Sequence, residues 1–208
     1  MFCRRASLFS AGRAASVPES HPKGSQGQAA VLICLGVFWA HISALNTFVL
    51  RDPINNYVTG TMTIHSEEHI VDVHVRSGVY SSDTIFDYTH GYIATRLFSR
   101  NACFIMKIKK ELIPDLEEIG RLAFERETMR DVYSPNNVWA QFQAGSSRLG
   151  HFKDWILYGK YIENLCTGLP LYELVATEPP ANDDGCASAG IPSILGLKIC
   201  EELIATEY

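Results

Sequence analysis

The chain has 208 residues, 47% of them hydrophobic and 11% aromatic, which suits one sizeable core better than two domains. Charged residues make up 20%, a globular composition and neither a disordered nor a collagen-like one. The net charge of -5 is uneven: Arg4, Arg5, Arg13, Lys23 and Glu19 stand in residues 1–44, leaving 14 basic and 22 acidic groups in residues 45–208. A body with a net charge of -8 is a poor phosphate binder, so nucleic acid is not expected as a partner.

Ala29 to Ala40 is a continuous uncharged apolar run, too short to cross a bilayer, which takes roughly 20 residues. His41-Ile42-Ser43-Ala44 follows and ends in the small residue a signal peptidase prefers, so residues 1–44 read as an N-terminal extension and signal peptide cleaved after Ala44, the alternative being an uncleaved signal anchor. Secretion to the extracellular space is then expected, with no membrane contact after cleavage. Four cysteines remain in the mature part: Cys103, Cys166, Cys186 and Cys200. An even number in a secreted chain implies two disulfides, and spacing alone leaves all three pairings open. No Asn-x-Ser/Thr sequon occurs.

Val58–Ile64 and His69–Val75 are rich in β-branched residues and read as strands joined by the polar Ser66–Glu68. In the second run Val71, Val73 and Val75 share one face, opposite Ile70, Asp72 and His74. After a turn at Gly78–Asp83, further strands are predicted over Thr84–Tyr88, Tyr92–Phe98 and Ala102–Ile108. Pro114 is predicted to open a helix, with Asp115, Glu117 and Glu118 in its first turn and Leu116, Ile119, Leu122 and Ala123 as its apolar stripe. A long loop from Asp131 to Gly150 has room for a short strand at Val138–Phe142. A second helix is predicted over Phe152–Cys166, where Phe152, Trp155, Ile156, Ile162 and Leu165 share a face, and Leu171–Thr177 reads as a strand. Beyond the acidic linker Glu178–Gly185, an apolar stretch is bracketed by Cys186 and Cys200. Strands first and helices later indicate an α+β fold with an antiparallel-rich sheet.

His65, His69 and His74 fall on strand, turn and strand, which does not gather them for a metal. Trp139 and Trp155 read as packing residues. No nucleophile elbow or phosphate loop is present, and disulfide formation leaves no thiol nucleophile. No cofactor, metal site or catalytic residue is assigned, and the chain reads as a non-enzyme.

Three segments carry a family resemblance. IFDYTHGYIATRLF (Ile85–Phe98), ACFIMKI (Ala102–Ile108) and NLCTGLPLY (Asn164–Tyr172) together resemble the BRICHOS domain, whose hallmark aspartate and two cysteines fall on Asp87, Cys103 and Cys166. The ending GCASAGIPSILGLKIC is similar to that of the gastrokines, within the branches two and three. The resemblance divides the mature chain into N-terminal strands packed on the core (45–75), a BRICHOS domain (76–172) and a disulfide-closed C-terminal extension (173–208). It implies a sheet of about five strands with a helix on each face. It also implies a Cys103–Cys166 bridge, which leaves Cys186 to pair with Cys200.

The resemblance makes Asp87 a candidate pH-responsive switch that biases the first helix on the sheet; the plainer reading is an aspartate at the surface or satisfied by Tyr88 or Arg96. The implied function is chaperone-like, anti-amyloid binding of β-prone polypeptide segments in gastric mucosa. The alternative is a mucosal-protection or growth-restraining factor acting through a receptor or a trefoil partner. In gastrokine-two a cysteine in the turn at the position of Tyr80 is the candidate for a covalent trefoil link. Tyr80 therefore points to a non-covalent contact and adds weight to gastrokine-three. The apolar stretch at Gly190–Cys200 is either an internal client or the last piece of the core, and its bracketing cysteines favour the core.

Overall fold

The computed structural model describes residues 45–52, 55–129, 136–182 and 185–202. The expected leader with its cleavage site at Ala44, the start of the long loop and part of the acidic linker lie outside these residues.

Six antiparallel strands follow one another as hairpins: β1 (Leu45–Arg51), β2 (Val58–His65), β3 (Ile70–Val75), β4 (Ser82–Asp87), β5 (Tyr92–Leu97) and β6 (Ala102–Lys107). Period-two alternation gives this sheet two apolar faces. Val71, Val73, Phe86, Ile93 and Phe104 bury on one, while Ile70, Ile85, Ala94, Cys103 and Ile105 bury on the other. A sheet buried on both sides needs two covers.

The first cover is α1 (Leu116–Met129), which inserts Ile119 and Ala123 into the first face. Asp115, not Pro114, sets its start: the Asp115 Oδ1 accepts the Glu118 N–H at 2.8 Å, so Pro114 stands one residue before the cap. The Tyr88 hydroxyl donates to the Pro114 carbonyl at 2.7 Å and ties this entry to the sheet. Burial, with Asp115 nearby, pushes the Tyr88 hydroxyl pKa well up.

The predicted loop strand is longer than expected. β7 (Asn136–Gln143) occupies eight residues because it gains a parallel partner far along the chain. The two-residue β8 (Arg148–Leu149) follows, then α2 (Phe152–Tyr158) and α3 (Lys160–Cys166). These are two helices where one was predicted, and Gly159 separates them with φ of 88°. The predicted apolar face divides with them. Ile162 is buried and Trp155 packs on the core, but Phe152 and Ile156 are exposed.

The run predicted as one strand is also divided, into β9 (Pro170–Glu173) and β10 (Val175–Thr177). Between them Leu174 is buried and its N–H donates to the Ile105 carbonyl at 2.8 Å, so the chain leaves one sheet there and enters another. β11 (Ala187–Ile191) and β12 (Leu195–Glu202) form the closing hairpin.

The strand order is β1-β2-β3-β4-β5-β6-β9-β8 in the large sheet and β10-β7-β12-β11 in the small one. The α+β class and antiparallel character are as expected. The count of about five strands is corrected to eight, because β1, β2 and β3 hydrogen-bond onto β4 and extend the sheet. The small sheet shares the first face with α1, and Phe104, Phe142 and Tyr172 join the two sheets with ring centroids 5.0 to 5.2 Å apart. Ile191, Leu195, Leu197 and Ile199 are buried in that layer, so the C-terminal stretch is part of the core. α2 and α3 cover the second face. Among the described residues no helix is long and apolar enough to cross a membrane.

Candidate functional site

β11 is an edge strand, paired with β12 on one side only. Its sequence, Ala-Ser-Ala-Gly-Ile, carries no charge and no proline until Pro192 just beyond it. Edges are normally blunted by such residues, because free N–H and C=O groups recruit further strands. Beside β11 lies a cavity of about 280 Å³. The hairpin residues Ser188 to Ser193 form one wall, and Thr59, Val75, Tyr80 and Ser82 belong to the facing wall. A long second edge exists at β1, but the cavity beside it is lined by Arg51, Asp52, Arg126 and Glu127. Charges there oppose an apolar, β-prone segment; the cavity beside β11 has two charged residues in its lining, Asp52 and Lys198, and β11 itself carries none.

Asp87 ends β4 and is 1% exposed. It is satisfied neither by Tyr88 nor by Arg96 but by His90, three residues on. Asp87 Oδ1 accepts the His90 N–H at 2.9 Å, and Oδ2 lies 2.8 Å from the His90 Nδ1. The turn closes with the Gly91 N–H on the Asp87 carbonyl at 2.8 Å. Gly159 packs directly on this pair: a Cβ there would stand 2.5 Å from His90 Nδ1 and 2.8 Å from Asp87 Oδ2. The expectation that Asp87 acts on the first helix is corrected accordingly. α1 lies on the opposite face, and the element against Asp87 is the α2–α3 junction. Asp87 as a pH-responsive group is a proposal about that junction, tested by the pH profile of unfolding of Asp87→Asn.

A second polar group lies on the same face of β3 and β4. His74 stands between two carboxylates, with Asp83 Oδ1 2.7 Å from Nδ1 and Asp72 Oδ2 3.2 Å from Nε2. Arg76 reaches the same Asp83 oxygen at 2.6 Å. Burial raises the Asp72 pKa, with Asp83 adding to it and His74 opposing. A carboxyl raised in the folded state contributes stability that is present at low pH and lost as pH rises through its folded pKa. The melting temperature of Asp72→Asn relative to the parent is therefore expected to climb as pH rises above the ordinary aspartate pKa of 3.8. Melts at stepped pH measure this, and a difference that stays flat or shrinks would contradict it.

His65 and His69 lie at the two ends of the β2–β3 turn, and the His65 ring faces Tyr161 at 6.0 Å. Among the described residues no group of three or more His, Cys, Asp or Glu is arranged to hold a metal ion. Trp155 packs against the second-face core, and the Lys198 ammonium lies 5.9 Å from the Trp139 ring. Disulfides join Cys103 to Cys166 and Cys186 to Cys200. The first ties β6 to the end of α3, and the second closes the β11–β12 hairpin at its base.

Sequence reasoning missed the open edge and its cavity, since neither has a local signal. The Asp72–His74 pair was legible from alternation; Asp83 joins it only through the β3–β4 register, which sets His74 opposite Asp83. The Asp87–His90 contact did have a signal, an Asp-x-x-His-Gly turn.

Comparison with known proteins gives a consistent picture. A family model described as the BRICHOS domain matches residues 78–173. The chain is 40% identical over 175 residues to gastrokine-2 of Rattus norvegicus, covering 82% of this chain and 95% of that protein. Gastrokine-2 of Mus musculus is 38% identical over the same extent. Gastrokine-3 of Mus musculus is 28% identical over 177 residues, 82% of this chain and 89% of the relative. The identities thus favour branch two over the branch-three weight drawn from Tyr80. No solved structure matches significantly.

Proposed function

Because this chain belongs to the gastrokine family of BRICHOS-domain proteins, we propose that it is a secreted, non-enzymatic protein that binds extended, β-prone segments of other polypeptides and keeps them from stacking into fibrils. Its proposed setting is the gastric mucosa, after the relatives' name. The observation that carries the reading is the open, uncharged edge of β11 beside a cavity. Backbone hydrogen bonds to such an edge give affinity regardless of sequence, and a captured segment cannot template the next strand of a cross-β stack. Both faces of the large sheet are covered, one by α1 and the small sheet and the other by α2 and α3, so the edge is the better receptor.

A trefoil partner remains compatible with this reading. All four cysteines among the described residues are in disulfides, and Tyr80 is exposed, so such a contact would be non-covalent.

The test uses the secreted chain in a cell-free fibril assay with an amyloidogenic peptide. Substoichiometric protein is expected to lengthen the lag phase. In an antiparallel edge strand, successive residues point their backbone groups alternately toward the partner and toward solvent. Of Ser188→Pro and Ala189→Pro, one therefore removes a ladder bond to β12 and destabilises the hairpin, while the other removes only an outward N–H. The variant that stays folded is expected to lose suppression. Full suppression by that folded variant would overturn the edge reading.

A further inference from the structure

Two of the polar residues that line the cavity beside β11 stand out. Thr59 is 7% exposed and Ser82 is 1% exposed, and both line the cavity. The Thr59 Oγ1 and Ser82 Oγ are buried and have no hydrogen-bond partner among the described residues. Such orphan hydroxyls are uncommon in folded proteins, and each one calls for an explanation.

Thr59 is moreover placed there by a defect in the ladder. Leu50 pairs with Gly60 and Arg51 with Val58, so Thr59 is the extra residue of a β-bulge. Bulges re-aim side chains and recur next to binding sites. Ser82 opens β4 opposite Val75, the residue that also faces Gly60 across the β2–β3 pair. The two hydroxyls thus belong to one end of the large sheet, on the wall facing β11.

Size and chemistry narrow the occupant. A cavity of about 280 Å³ falls at the bottom of the range for small-molecule pockets, roughly 300–1,000 Å³, and suits a single side chain. The cavity and the edge share residues Ser188 to Ile191, so a strand added to β11 would pass directly over it. Of the two charged residues in the lining, Lys198 already donates to Ser188 Oγ at 2.9 Å, and Asp52 accepts the Asn55 N–H at 2.7 Å. The two are opposite in sign, so the lining carries no net charge that would favour a charged side chain. A hydroxyl serves as donor or acceptor, and two of them match a group that offers one of each. A primary amide is neutral and carries the two on separate atoms, N–H and C=O, one for each hydroxyl.

We propose that this cavity is a specificity pocket for one carboxamide side chain, glutamine or asparagine, of a segment docked on β11. The inference rests on the edge-docking reading above and adds what that reading lacks, a side-chain preference. An aliphatic side chain of the same length would leave both hydroxyls unpaired in the bound state, which is how sites built to hydrogen-bond reject apolar analogues.

The probes are two end-blocked heptapeptides, Thr-Val-Thr-Gln-Thr-Val-Thr and the same sequence with central leucine, titrated into the secreted chain by calorimetry. The glutamine peptide is expected to bind about tenfold tighter. In the double variant T59V/S82A that preference is expected to vanish, while the melting temperature holds or rises, since the substitutions remove unpaired polar atoms from a buried site. Equal affinity of the two peptides for the unmodified protein would overturn the pocket and leave the edge reading intact. A preference that survives in the folded double variant would also overturn it. Binding of neither peptide would overturn the edge reading itself, and the pocket with it. Should the double variant fail to fold, the comparison on the unmodified protein decides alone.

Discussion

Replacing Cys103 and Cys166 together by alanine is expected to lower the free energy of unfolding by about 4 kcal/mol. The bridge spans 63 residues, and cross-linking a loop of that length removes much of the entropy of the unfolded chain. Both sulfurs are fully buried in the second-face core, so the alanines also leave a small void and the loss is not reduced by relaxation into solvent. The bridge Cys186–Cys200 closes only 14 residues, and its removal is expected to cost about 3 kcal/mol. Against a typical total of about 5–15 kcal/mol, the first loss is a large share. Chemical denaturation of the two paired variants, compared with the oxidised parent, measures both. A loss below about 1 kcal/mol for the first pair, or the reverse order between the pairs, would show that the unfolded chain is already compact around these loops.

The second large effect is expected at Gly159. Its backbone has φ of 88° and ψ of 162°, a region essentially reserved for glycine. An alanine there meets the backbone penalty and a clash with His90 and Asp87 together. His90 is partly exposed and could swing away, but only by leaving Asp87, which is buried and holds it at 2.8 Å. Strain and the broken charge-assisted bond together amount to about 3–5 kcal/mol for Gly159→Ala. Gly168 is the internal control: its φ is 80°, yet nothing lies within 4 Å of the position of a Cβ. Gly168→Ala therefore carries only the backbone part, about 1–2 kcal/mol. In a His90→Ala background the cost of Gly159→Ala is expected to fall, because the nearest obstacle is gone. Equal costs at the two glycines would mean that Asp87 and His90 do not constrain the α2–α3 junction.

Much of the large sheet was legible because its signals are local. The alternation of Val71, Val73 and Val75, and the punctuation at Gly91 and Asn101, mark strands and turns within a few residues; both turn residues take positive φ. Helix α1 was legible for the same reason, although its cap fell on Asp115, which competes better for the free N–H groups than a proline can. The rest depends on contacts remote in sequence. The apolar spacing from Phe152 to Cys166 runs unbroken across Gly159, and only the approach of Asp87 from β4 requires the break there. β7 was read as a short strand in a loop because its parallel partner, β12, lies some 60 residues downstream. Leu174 sits in a run with strand character throughout, and it is the carbonyl of Ile105 that divides it. The resemblance placed Asp87, Cys103 and Cys166, yet the open edge of β11 follows from the order of strands in a sheet whose existence no local pattern announced.

Amide hydrogen exchange of the secreted chain, with and without a β-prone peptide, tests the edge most directly. Alternate amides of Ala187–Ile191 are expected to slow on binding, with β1 and β10 unchanged, since a docked strand protects only the backbone groups that face it. Protection confined to β1, or to the exposed α2 residues Phe152 and Ile156, would place the client elsewhere and contradict the account.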